Sequence, residues 1–331
     1  MIQVTDFSAY QPVKGARTAV TIGNFDGCHL GHQELIEATK NYGQRFAATS
    51  TAITFSPRPE AFFRSVTSEA LLFTEDQKTR SLGELGIEQQ LVQRFDLTFS
   101  RVTHHEFYRR YLREQLTAAA LVVGDNFHFG HQRLGDANFL RQCTAADGLA
   151  LTIGDAVQFR GQSISSTRIR TVLREDGDVV TAALMLGRPY VLEGIVEQGD
   201  QLGRRLHFPT ANLGEVKQLL PKYGVYAGYV WLEASLGSAE RPEITTRPAN
   251  VHPAVFNIGV RPTLARPDSA ARIEAHLLTG EFGPDALYGL HAGYYFAHRL
   301  RGEQAFADLT ALRRQISMDC EQARQLLGVS S

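Results

Sequence analysis

Cysteine is scarce: Cys28, Cys143 and Cys320 are the only three in 331 residues, odd in number and far apart. That excludes a disulfide framework and offers no zinc-ligand spacing, so a reducing cytoplasm is the expected compartment. Long apolar runs are missing as well. The longest smooth stretch, 118–123, falls far short of the ~20 residues that cross a bilayer, so no membrane partner is expected and the run reads as a core strand. No basic segment followed by an apolar one opens the chain, and no secretory signal is expected. Charge of one sign is absent too: 34 Lys+Arg stand against 35 Asp+Glu, and on either side of Gly187 the balance is 19 basic to 20 acidic (1–186) and 15 to 15 (187–331). Proteins that neutralise phosphate backbones carry a positive imbalance, so nucleic acid is not an expected partner. Repeats and low-complexity tracts do not occur, and self-association stays open. What remains is a folded chain, 43% hydrophobic and 21% charged, long enough for two domains.

The first half alternates in type. Residues 18–22 read as a strand, 31–42 as a helix, 47–55 as a strand stopped by Ser56-Pro57-Arg58-Pro59, 75–85 as a helix and 90–95 as a strand. Helix over 105–116, strand over 119–123, helix over 138–143, strand over 149–153 and helix over 166–173 continue the series. This favours an α/β doubly wound, largely parallel sheet, with the loops after Ile22, Phe55 and Val123 facing one pocket. A short helix over 178–186, with Asp178 as its N-cap and Gly187 as its stop, closes this half. From Tyr190 on, β runs at 191–196, 225–233, 254–258, 272–278 and 291–296, separated by Gly and Pro, read as a small antiparallel β-barrel. A C-terminal helix over 306–327 ends at Gly328. The division expected is therefore 1–186 and 187–331, with 235–248 as an exposed loop.

One segment of the first half carries chemistry: Gly23-Asn24-Phe25-Asp26-Gly27-Cys28-His29-Leu30-Gly31-His32, between the first strand and its helix. The glycines allow a tight turn and close approach of backbone to ligand, and the helix start offers N–H groups to an anion. His29 and His32 share a face and can donate hydrogen bonds to phosphate oxygens; a metal pair, or one loop and one helix histidine, are the competing readings. Ile164-Ser165-Ser166-Thr167-Arg168-Ile169-Arg170 adds hydroxyls and two guanidiniums at a helix start. Arg168 and Arg170 cannot lie on one face, so one is expected on phosphate and the other in the structure. In the second half, Gly199-Asp200-Gln201-Leu202-Gly203-Arg204 suggests a phosphate loop or only a turn. Thr210 and Asn212, two apart on an extended segment, point the same way with oxygen ligands suited to Mg²⁺ or nucleotide, an Asx or Ser/Thr turn being the competing reading. Glu274 alternates with Ile273 and Ala275, which by periodicity alone describes a solvated strand carboxylate.

Together these segments resemble the nucleotidyltransferase superfamily with the H-x-G-H signature, and more narrowly the bifunctional bacterial riboflavin kinase/FMN adenylyltransferase (FAD synthetase) family. Further matches are Thr21-Ile22-Gly23-Asn24-Phe25-Asp26-Gly27, Phe55-Ser56-Pro57-Arg58-Pro59, Val123-Gly124-Asp125-Asn126-Phe127, Phe208-Pro209-Thr210-Ala211-Asn212 and Asn257-Ile258-Gly259. The resemblance implies a Rossmann-like nucleotidyltransferase domain joined to a riboflavin kinase-like barrel, with ATP and riboflavin or FMN as substrates and Mg²⁺ as cofactor. It implies His29 and His32 as catalytic groups of adenylyl transfer, and Gly23, Phe25, Asp26, Gly27, Ser166, Thr167 and Arg168 on the nucleotide. It implies Gly199, Gly203 and Arg204 on the second nucleotide, Thr210 and Asn212 on the metal, Glu274 as the kinase base, and Asn126, Phe55, Pro57 and Phe208 on flavin. The chain departs from the family pattern at Cys28, Arg58, His207 and the strand end Leu278-Thr279-Gly280. Two further readings compete: an adenylyltransferase whose barrel only binds flavin, and a flavin-dependent regulator with both sites degenerate, which the intact histidine pair disfavours.

Overall fold

The computed structural model describes residues 1–11, 15–63, 70–198, 210–233, 251–259, 271–279 and 287–329. The chain divides into two compact units, Met1–Ser166 and Thr167–Ser331.

The first unit is built on one parallel sheet of β1 (Ile2–Thr5), β2 (Thr18–Ile22), β3 (Thr49–Ser56), β4 (Gln89–Arg94), β5 (Ala118–Gly124) and β6 (Ala150–Gly154), in the order β1-β4-β3-β2-β5-β6. The chain steps outward from β2 through β3 to β4, then crosses back to β5 and β6. The order thus reverses between β2 and β5, and a crevice at that switch point is where open α/β sheets bind ligands. β2 is buried along its whole length, as a strand covered on both faces must be. Helix α1 (Leu30–Phe46) packs on β2, β5 and β3, and Gly43 permits the close approach, since a Cβ there would lie 2.9 Å from the Ala48 carbonyl. The short α2 (Pro59–Phe63) follows β3, α3 (Glu75–Glu84) follows with a Thr74 capping box, and α4 (His104–Glu106) passes into a π-wound stretch, Phe107–Gln115. α5 (Ala137–Asp147) precedes β6, and a hairpin of β7 (Gln158–Phe159) and β8 (Gln162–Ser163) comes after it. Val20, Ile22, Ile53, Leu91, Leu112, Leu121 and Val123 centre the core.

The second unit opens with α6 (Ser166–Thr171), which straddles the boundary, a π-wound turn at Val172–Asp176, and α7 (Val179–Leu186). Asp178 caps α7 by accepting from Thr181 N at 2.9 Å, and Gly187 ends it at φ 75°. α7 packs on β9 (Tyr190–Glu197) and β14 (His291–Arg301), which is why the structural boundary falls ahead of Gly187. With β10 (Ala211–Gly214), β11 (Gly224–Leu232), β12 (Val251–Gly259) and β13 (Arg272–Leu277) these strands close an antiparallel barrel ordered β10-β13-β12-β11-β14-β9. Its interior is aromatic: Phe256 stacks on Tyr294 at 5.1 Å, and Phe296 meets Tyr226 edge-on at 5.3 Å. Helix α8 (Leu309–Leu327) packs on β11, β12 and β14 through Cys320 and Ala323. It starts three residues later than periodicity suggests, because the Asp308 carboxylate accepts from Ala311 N at 2.7 Å and so makes Asp308 the cap. The stretch 235–248 lies outside the described residues.

Candidate functional site

In the first unit β2 ends beside β3, where Gly23 N donates to the Ile53 carbonyl at 3.1 Å. The turn that follows holds Phe25, Gly27 and Cys28 at φ 48°, 79° and 37°, conformations that a glycine relieves at only one of the three. Phe25 is fully buried and meets the His32 ring edge-on at 5.2 Å. His29 is the N-cap of α1 and not part of its first turn: its Nδ1 accepts from His32 N at 3.4 Å. The two imidazoles stack with centroids 3.7 Å apart. Gly31 makes this geometry possible, because a Cβ there would stand 3.3 Å from the His29 ring. Cys28 is buried, its Sγ donating to the Phe25 carbonyl at 3.3 Å.

Asp26, expected on the nucleotide, has its carboxylate in hydrogen bonds with the chain. It accepts from Leu72 N and Phe73 N, each at 3.0 Å, and from Arg58 Nη1 at 3.2 Å. Its carbonyl accepts from Ser166 Oγ at 2.8 Å, which brings the second motif onto the turn. Thr167 is exposed and Arg168 half-buried, whereas Arg170 is buried. On the β3 side of β2, Phe55 is half-buried and Pro57 is exposed after a cis Ser56–Pro57 bond; on the opposite side, Asn126 is exposed beyond β5. The adjacency of β3 and β4 gathers Phe55, Phe62, Phe95 and Phe99 into an aromatic group, with Phe62 and Phe95 at 5.4 Å. Phe62 and Phe95 have no role in the sequence reading; they meet because β3 and β4 are neighbours, which no local pattern announces.

In the barrel, register decides. Asn212 on β10 lies directly between Glu197 on β9 and Glu274 on β13, and Glu274 in turn faces Asn257 on β12. The flanking residues Ala211, Ile273, Ala275 and Phe256 are buried, so the polar row sits on the outer face of the barrel. Glu274 is half-buried. Tyr294 reports its proximity: burial, and then the Glu274 charge, push the phenol above its ordinary pKa, while its hydroxyl donates to the Ala211 carbonyl at 3.0 Å. Hard oxygen donors of this kind, an amide between two carboxylates, fit Mg²⁺ better than a softer metal. Among the described residues no group of three or more His, Cys, Asp or Glu is arranged to hold a metal. Gly199, Gly203, Arg204, His207 and Phe208 lie outside the described residues.

Family models described as FAD synthetase and riboflavin kinase match residues 12–168 and 186–327. The chain is 36% identical to the bifunctional riboflavin kinase/FMN adenylyltransferase of Escherichia coli K12, over 94% of this chain and 93% of that protein. It belongs to the bifunctional riboflavin kinase/FMN adenylyltransferase family. The protein of the same name from Pseudomonas fluorescens is 35% identical over the same shares. A crystal structure of a protein described as a macrolide-efflux protein from Streptococcus pneumoniae covers 98% of this chain and 99% of its own with a TM-score of 0.83. At 24% identity that likeness concerns the fold alone. Of the family's two motif sets, the first falls at the switch point of a parallel sheet, and the described residues of the second, Asn212, Asn257 and Glu274, fall on the face of a barrel. No helix among the described residues is long and apolar enough to cross a membrane.

Proposed function

We propose that this chain makes FMN and then FAD. Residues 187–331 transfer the γ-phosphoryl group of ATP to the 5′-hydroxyl of riboflavin, and residues 1–186 join FMN to the AMP moiety of ATP with release of pyrophosphate. The observation that carries this reading is the stacked His29–His32 pair at the N-terminus of α1, beside the switch point of the sheet.

In adenylyl transfer an oxygen of the FMN phosphate bonds to the α-phosphorus of ATP as the bond to the bridging oxygen breaks, and pyrophosphate leaves with that electron pair. The nucleophile is already an anion, so no covalent intermediate with the protein is needed. Positioning and charge stabilisation remain as the protein's work. His29, His32 and the N–H groups opening α1 serve the phosphates, Ser166, Thr167 and Arg168 hold the nucleotide, and Gly23, Phe25 and Gly27 shape the cradle. Phe55, Pro57 and Asn126 take the flavin side.

In the kinase reaction the riboflavin hydroxyl is a poor nucleophile, and Glu274 accepts its proton as the oxygen bonds to the γ-phosphorus and ADP leaves. Thr210 and Asn212 would hold Mg²⁺, which when bound neutralises phosphate charge. Gly199, Gly203 and Arg204 would wrap the phosphates and Phe208 would meet flavin. The three free cysteines suit a reducing cytoplasm, and the near-neutral halves leave small molecules, not nucleic acid, as partners.

Incubating the purified chain with riboflavin, ATP and Mg²⁺ and separating the flavins by chromatography tests this. FMN followed by FAD is expected. Conversion of added FMN to FAD without any phosphorylation of riboflavin would overturn the kinase half, and no conversion of either would overturn both.

A further inference from the structure

Asp26 is 5% exposed, and the Arg58 side chain beside it is 13% exposed. A carboxylate so enclosed is costly unless donors surround it. Here two separate segments supply them, the backbone N–H groups of Leu72 and Phe73 and the Arg58 guanidinium from the loop after β3, while Ser166 Oγ donates to the backbone carbonyl of the same residue. A second tie runs alongside, with Asn24 Nδ2 donating to Glu60 Oε2 at 3.0 Å. Both ties join the turn after β2 to the stretch after β3, one at the loop and one at α2. On one side of the joint, Phe25 precedes Asp26 and backs His32. On the other, the Arg58 carbonyl accepts from Phe62 N at 3.0 Å and so starts α2, whose Phe62 packs on Phe95. The joint therefore connects the histidines to the aromatic wall. Charge points the same way, because a buried carboxylate facing a triphosphate would repel it.

We infer that Asp26 and Arg58 are positioning residues of adenylyl transfer: their ion pair fixes the turn carrying Phe25 and the histidines against the end of β3 and the loop after it, which carry Phe55 and Pro57, and Asp26 touches no nucleotide. This rests on the reading of the first half as an FMN adenylyltransferase. Neither residue meets substrate, so substrate affinity is largely kept when the pair is broken, while the alignment of the reacting groups is lost.

The test uses the full chain, with FAD formation from FMN and ATP measured for the wild type, Arg58→Gln, Asp26→Asn, the double variant and Arg58→Lys. Each single variant is expected to lower kcat by roughly 10- to 100-fold, with KM for FMN and for ATP moving less than about twofold. The double variant should be no slower than the worse single one, because both break the same pair. Arg58→Lys should recover to within about fivefold of wild type by keeping the charge while losing the fork. Riboflavin phosphorylation by the other half should be unchanged in all of them. A large rise in KM for FMN in Arg58→Gln with Asp26→Asn at wild-type rates would overturn the inference, since the guanidinium would then be meeting substrate. Additive losses in the double variant, or wild-type rates in both single variants, would overturn it as well. If Arg58→Gln does not fold, Asp26→Asn set against Arg58→Lys makes the same comparison. A wild-type chain that turns no FMN into FAD removes the underlying reading, and the clamp with it, before any variant is compared.

Discussion

Gly31→Ala sets two consequences of one methyl group against each other. Alanine is the better helix former, and in the first turn of α1 the exchange is worth up to ~1 kcal/mol, from helix propensity and a less free unfolded chain. That gain raises the melting temperature by about 2–4 °C for a unit of this size. The same methyl carbon would stand 3.3 Å from His29 Cε1 and 3.4 Å from Nδ1, inside the ~3.5–4.0 Å at which carbon contacts are comfortable. The ring must retreat by a few tenths of an ångström. Its freedom is small: His32 is stacked on it at 3.7 Å, and His32 is itself backed by Phe25. Retreat also lengthens the 3.4 Å bond from His32 N to Nδ1 that orients the ring. If His29 serves phosphate as proposed, displacement on this scale costs on the order of tenfold in rate. The variant should thus be as stable as the wild type or more so, yet about tenfold slower in making FAD, with riboflavin phosphorylation untouched. Thermal unfolding and chromatographic rates for the two reactions read this directly. Wild-type FAD formation in a stabilised variant would refute the claim that the position of the His29 ring limits adenylyl transfer.

The two chemistries should come apart by mutation. Glu274→Gln is expected to slow riboflavin phosphorylation by roughly 10²- to 10⁴-fold while leaving FAD formation from added FMN intact, and His29→Ala to do the reverse; loss of both reactions in either variant contradicts the assignment. Asp319 on α8 is 3% exposed and accepts from Arg301 Nε at 3.0 Å, Arg301 Nη2 at 2.8 Å and Gln315 Nε2 at 2.9 Å. Asp319→Ala should destabilise the barrel unit by about 3 kcal/mol, the low end for a broken buried pair because Arg301 keeps some access to water; urea unfolding measures it, and a change below about 1 kcal/mol, the worth of an exposed pair, contradicts it. Finally, a chain of formal net charge −1 has no long-range field to draw in ATP. KM for ATP should move less than about threefold between 0.05 and 0.3 M salt, since a near-neutral chain offers little long-range attraction for salt to screen; a steep rise with salt would point to capture by an exposed basic surface.

The features legible in the sequence are those whose causes are local. A β-branched run stopped by Gly23 is β2, the Asp178 cap and the Gly187 stop bound α7, and two histidines three apart with a glycine between them stand at a strand-to-helix junction. Even there the reason for the glycine is spatial, because a Cβ would crowd the His29 ring. Features whose partners are distant left no local trace. Strand β1 has an almost fully exposed pattern and exists only because β4, nearly ninety residues on, supplies its hydrogen bonds. Asp26 reads as one more residue of a nucleotide-binding motif, and only Arg58, Leu72 and Phe73 reveal that its carboxylate is spent on the protein.

Glu274 makes the same point from the other side. By periodicity it is an ordinary outward-facing carboxylate, and the structure agrees that it faces outward. What sets it apart is register: 62 residues separate it from Asn212, yet the two face each other across β10 and β13, with Glu197 beyond. A solvated strand carboxylate has no need of an amide on one side and a buried phenol, Tyr294, close enough to feel its charge. The two sites therefore ask for different kinds of reading. A site on loops at the switch point of a parallel sheet keeps much of its chemistry contiguous, because one turn and one helix start supply most of the groups. A site on the face of an antiparallel barrel draws one residue from each neighbouring strand, so its chemistry is dispersed along the chain and becomes visible only when the strands are paired.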